Sequence, residues 1–194
     1  MTREIRPKDL LKLPSLITAV SLGAVCLGAE HIDTPTGKAI AAIGRAGDLV
    51  DGYIARKFDM TSDAGAIADV TADKLGMLRL GAAMWQHDIT PKPVLATMAL
   101  RHAISAGATL YNGISDEQKR SIRPPRVGKI SMGADSLSFC AFGVADELQK
   151  GSSAHKIAYG LGWTAAIIGA GTGAVALKHY WRGEFNVVEP GAGQ

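Results

Sequence analysis

The sequence predicts an all-α protein: an integral membrane bundle of six transmembrane helices with a short N-terminal interfacial helix. Three observations carry that expectation. Residues 157–177 (IAYGLGWTAAIIGAGTGAVAL) run for 21 positions without a charge, long enough to cross a bilayer as a helix. Residues 13–29 add 17 uncharged positions. Basic residues fall unevenly on alternate turns, as the positive-inside bias requires. Apolar residues make up 47% of the 194 positions, yet mean hydropathy is only +0.11, so composition alone also suits a soluble helical protein.

The elements follow in order. Residues 1–12 place Ile5, Leu10 and Leu11 among basic residues, the pattern of a cytoplasmic interfacial helix or of a solvated tail. Residues 13–183 form one six-helix membrane domain, with spans at 13–29, 37–57, 63–86, 91–113, 127–147 and 157–177. The middle four are diluted by polar groups, and ionisable residues inside spans face a bundle interior or a watery cavity and mark function. Breaks at Asp33-Thr34-Pro35, Thr90-Pro91-Lys92-Pro93 and Pro124-Pro125 fall between spans. Residues 184–194 read as a loose tail. With the amino terminus inside, Arg3, Arg6, Lys8, Lys12, Arg56, Lys57, Lys119, Arg120, Arg123, Arg126, Lys129, Lys178 and Arg182 are cytoplasmic. The outer turns hold only Lys38, Lys92, Lys150 and Lys156. The net charge of +3 is thus read as basic loops beside anionic headgroups, with no nucleic-acid partner.

Chemistry concentrates in residues 48–73, DLVDGYIARKFDMTSDAGAIADVTAD. Asp48 with Asp51, and Asp69 with Asp73, are spaced by three and four, one helical face for each pair. Four facing carboxylates repel unless protonated or neutralised. A hard divalent ion, magnesium or manganese, resolves the conflict. Gly52, Ala55, Gly65 and Gly76 recur at the same spacing, leaving a slot for a phosphate-bearing ligand. Arg56 offers it a planar cation.

The pattern D-x2-D-G-x2-A-R-x8-G-x3-D-x3-D is matched at all eight fixed positions. At residue frequencies of ~5–8%, chance gives this on the order of 10⁻¹⁰ per starting point. The chain resembles the CDP-alcohol phosphotransferases, membrane enzymes that transfer a phosphatidyl group from a CDP-linked lipid to an alcohol and release CMP. The resemblance implies that Asp48, Asp51, Asp69 and Asp73 hold a two-metal site with Mg2+ or Mn2+, and that Asp73 serves as general base. Gly52, Ala55, Arg56, Ser62 and Gly65 would line the CDP pocket, although Ser62 suits a helix cap equally well. It further implies CDP-diacylglycerol as donor, a homodimer, and a cytoplasmic membrane location with the active site facing the cytoplasm.

The acceptor is less determined. D-x2-A-D-K at 69–74 and D-G-Y-x-A-R-K at 51–57 resemble phosphatidylglycerophosphate synthases, which implies glycerol 3-phosphate, an anion needing cations. Arg101, Arg126 and Lys129 are the candidate acceptor-binding residues. An interhelical ion pair is the other reading of Arg101, and topology-setting loop charge that of Arg126 and Lys129. Thr109, Ser131, Ser15 and Ser21 depart from that subgroup's pattern. An inositol phosphate, or phosphatidylglycerol as in cardiolipin synthases, therefore stays open.

Other chemistries are thin. The five histidines show no metal-ligand spacing, and Gly169 to Gly173 (GAGTG) lies in an apolar span, where small residues serve close packing. A prenyltransferase would lack the D-G-x2-A-R element. A non-enzymatic cation-binding membrane protein would bind the ions without consuming a CDP-lipid.

Overall fold

A computed structural model describes residues 13–57, 63–115 and 126–181, with side chains described for 16–47, 72–108 and 127–179. Six helices account for nearly all of them: α1 (Leu13–Glu30), α2 (Pro35–Lys57), α3 (Asp63–Gln86), α4 (Lys92–Ser115), α5 (Arg126–Glu147) and α6 (Ser153–Trp181). No strand occurs among the described residues. The protein is all-helical, and each helix lies within a few residues of an expected span. The segments 1–12 and 184–194, and the Pro124-Pro125 break, lie outside the described residues.

The chain divides into two compact units, Met1–Thr90 and Pro91–Gln194. In the first, α1 packs along α2 and α3. The turn between α1 and α2 is written in its residues. Thr34 Oγ1 accepts from Gly37 N at 3.0 Å, an N-cap, and Pro35 occupies the first helical position, where its missing N–H costs nothing. Small residues then bring the backbones together. A methyl on Gly44 would lie 2.8 Å from both Ser21 O and Val25 N, so only glycine permits that approach. Helix α3 stops where Asp88 adopts φ 53° and Ile89 N donates to Met84 O at 3.0 Å, the six-to-one bond of a left-handed helix terminator. Aspartate tolerates that conformation better than most side chains.

In the second unit α6 packs on α5 and α4. Ser152 caps α6 by accepting from His155 N at 3.1 Å. Phe142 is fully buried, edge-on to Tyr159 at 5.3 Å and to Trp163 at 6.3 Å. Its ring fills a notch at Gly162, where a methyl would come within 2.9 Å of it.

Among the described residues, one stretch, Ser153–His179 of α6, is both long and apolar enough to cross a membrane, with mean hydropathy 1.4. Leu16–Glu30 is a shorter apolar run. Helices α2 to α5 have 22 to 24 residues, but polar groups dilute them below that level. Those polar groups turn inward. Arg45, Arg101, Asp135, Ser131 and Ser138 are buried, whereas Val20, Ile43, Leu78, Leu100, Leu137 and Ile167 are exposed.

Candidate active site

The first unit carries the acidic motif on two helices. Asp48, Asp51, Gly52, Ala55 and Arg56 belong to the last three turns of α2, and Gly65, Asp69 and Asp73 to the first three turns of α3. Ser62 lies outside the described residues. The helical registers expected for both acid pairs are therefore present. Side chains are described for one of the four acids, Asp73. Among the described residues no group of three or more His, Cys, Asp or Glu gathers as a metal cage, and three of the expected ligands fall outside that set.

Asp73 is not solitary. Its Oδ1 accepts from Arg45 Nη1 at 2.5 Å, a charge-assisted bond between α2 and α3. The Asp73 side chain retains 17% of its accessible surface, that of Arg45 9%. Arg45 stands three residues before Asp48, so by helical register it shares the acidic side of α2. A guanidinium thus stands where a cation is demanded. That observation, with the oxygen-only donor set, fits the residues to a hard divalent ion.

The second unit contains a polar cluster that sequence reasoning found only in part. Arg101 on α4 is buried, and its guanidinium donates to Asp135 Oδ2 on α5 and to the Gly169 carbonyl on α6. His102 Nε2 lies 3.0 Å from the same Asp135 oxygen. Ser131 Oγ donates to Gly169 O at 2.9 Å. Asp135 is wholly enclosed, and its Oδ1 has no hydrogen-bond partner among the described residues. The interhelical pair, one of two readings open for Arg101, is the arrangement present. Lys129 is exposed on α5, and Arg126 opens that helix with its side chain outside the described set.

The GAGTG run finds its purpose here. A methyl on Gly169 would sit 2.5 Å from Asp135 Oδ1, and one on Gly173 would overlap the Arg101 stem. These glycines form a slot for two charged side chains, a more specific role than close helix packing. Arg45 and Asp135 were both missed from the sequence. Their signal was the one that exposed Arg101: a charge inside an apolar span.

The sequence model of the CDP-alcohol phosphatidyltransferase family matches residues 11–171, running through both units and all six helices. The chain belongs to that family. A curated relative is the cardiolipin synthase (CMP-forming) / mitochondrial hydrolase fusion protein of Schizosaccharomyces pombe, 34% identical over 107 residues. The match covers 54% of this chain and 18% of the length of that relative.

Proposed function

We propose that the protein transfers a phosphatidyl group from CDP-diacylglycerol to an alcohol with release of CMP, in phospholipid synthesis. The carrying observation is the eight-position acidic motif, set on α2 and α3 of a chain whose family match covers residues 11–171. Asp48, Asp51, Asp69 and Asp73 would hold two Mg2+ or Mn2+ ions. Such ions, when bound, neutralise the diphosphate and stabilise charge on the departing CMP. Gly52, Ala55 and Gly65 leave room for the nucleotide diphosphate, Arg56 pairs with its phosphates, and Ser62 donates to one. Asp73 accepts the proton of the acceptor hydroxyl, a weak base made effective by proximity.

Two acceptors have support. Glycerol 3-phosphate is favoured by the motif's local sequence, with Arg126, Lys129 and Arg101 as its cationic partners. Phosphatidylglycerol is favoured by the printed activity of the fission-yeast relative, and by a second fact: Arg101 is already neutralised by Asp135. A phosphate monoester would have to compete for that guanidinium, whereas a glycerol hydroxyl would not.

The chain would work as a homodimeric, six-span protein of the cytoplasmic membrane, its acidic site open to the cytoplasm. Buried charges and outward Leu, Ile and Val side chains support the lipid setting. The test is direct. Purified protein with CDP-diacylglycerol and Mg2+ is offered glycerol 3-phosphate, inositol phosphate or phosphatidylglycerol, and CMP and new lipid are measured. CMP release with one acceptor is expected; none with any would overturn the assignment.

A further inference from the structure

The Arg45–Asp73 pair is unexplained by the family motif, which contains no residue at the position of Arg45. Its geometry is informative. Arg45 is nearly buried and reaches from α2 to α3, so its guanidinium is held in place and does not wander over a surface. The carboxylate it holds is the last of the four acids assigned to the metal ions. A magnesium or manganese ion binds through carboxylate oxygens at close range, and Oδ1 of Asp73 is occupied by Nη1 at 2.5 Å. Arginine stays charged under all accessible conditions, so the competition is permanent and cannot be relieved by deprotonation.

We infer that Arg45 is the resident counter-ion of the acidic site: it neutralises Asp73 in the metal-free protein and is displaced when the divalent ion arrives. The inference rests on the metal-site reading above. It assigns Arg45 two opposed effects. Without metal, the guanidinium relieves repulsion within the acidic cluster and ties α2 to α3. With metal, it competes for a ligand oxygen and raises the ion concentration needed to fill the site. Arg45 is therefore a positioning residue that sets the metal threshold.

The test is manganese binding to the detergent-purified full chain, read from the electron paramagnetic resonance of free Mn2+, with no turnover required. Arg45→Gln should bind Mn2+ roughly ten-fold more tightly than wild type, the yield of removing one charge-assisted competitor. Its metal-free form should melt at lower temperature and gain more from added Mn2+ than wild type does. Arg45→Met, which keeps the volume of the stem, gives the same reading if glutamine is poorly tolerated. In an Asp73→Asn background the substitution should no longer tighten binding, because the contested oxygen's charge is gone. Equal or weaker Mn2+ binding by both Arg45 variants, with binding still weakened by Asp73→Asn, would overturn the role of Arg45 and leave the metal site standing. Absence of binding in wild type and variants alike would remove the metal reading and this inference together.

Discussion

Each unit of the protein holds one arginine–aspartate pair between helices, and the two differ in enclosure. Asp73, paired with Arg45, keeps a sixth of its side-chain surface, whereas Asp135, paired with Arg101, keeps none. Asp135 is also clasped from a third direction by His102, and the partner arginine is tied to a backbone carbonyl on α6. An enclosed ion pair contributes chiefly by forbidding its own disruption: removing one partner leaves a stranded charge. A partly open pair can exchange partners, because solvent or an incoming ion can take over either charge. The first pair thus suits chemistry and the second suits architecture.

The largest expected effect breaks the comparison on the chemical side. Asp73→Asn should reduce CMP release from CDP-diacylglycerol by about 10³-fold or more, since a metal-ligating and proton-accepting carboxylate is lost. The amide oxygen can still accept from Arg45, so the purified protein should remain folded by circular dichroism and size-exclusion chromatography. Turnover near the wild-type rate would show that the open pair is as structural as the closed one.

On the architectural side, Asp135→Leu keeps the branching of the side chain and strands the Arg101 charge. It should destabilise the protein by about 3–5 kcal/mol in a denaturation series. Arg101→Met with Asp135→Leu removes both charges and should recover most of that loss, as apolar replacements of enclosed pairs commonly do. The recovered double variant also tests the acceptor. If Arg101 meets a phosphorylated acceptor, KM for glycerol 3-phosphate rises while the protein stays folded. If it is a lock alone, the kinetics are unchanged.

What could be read from the sequence divides along the same line. Helix positions were legible because their limits are local: Thr34-Pro35 starts α2, and the Thr90-to-Pro93 break precedes α4. The acidic motif was legible because two helix-spaced pairs carry their meaning in spacing alone. Pairings that cross helices were not. Arg45 and Asp73 are 28 residues apart, and Arg101 and Asp135 are 34 apart. Those separations mean nothing until it is known which helices adjoin. The glycines at 169 and 173 were read as packing residues, since a sequence shows that a site is small without showing what fills the space.

A smaller effect sharpens the account of that slot. Gly173→Ala places a methyl on the stem of an arginine whose head is fixed at both ends, so the side chain cannot swing clear. Overpacking of this kind should cost about 1–3 kcal/mol. Gly171, two residues away on the same helix, faces open space with no atom within 4 Å. There the same substitution should be neutral, or should stabilise by up to ~1 kcal/mol through helix propensity. Opposite signs for two neighbouring glycines, measured by thermal unfolding, would locate the slot; equal effects would dissolve it.

The smallest effect concerns Ser131, buried beside the pair. Its hydroxyl donates to Gly169 O, which also accepts from Arg101 and, at 3.3 Å, from Thr172. The carbonyl therefore does not lose its last donor when the hydroxyl is removed. Ser131→Ala leaves no stranded polar atom, since donor and acceptor capacity leave together with the hydroxyl. The cost should stay near the net worth of one neutral hydrogen bond, about 0.5–1.5 kcal/mol. A loss several times larger would mean that the hydroxyl holds the α6 carbonyl in place for Arg101. In that case the closed pair would depend on a neutral neighbour, and its enclosure alone would not explain its strength.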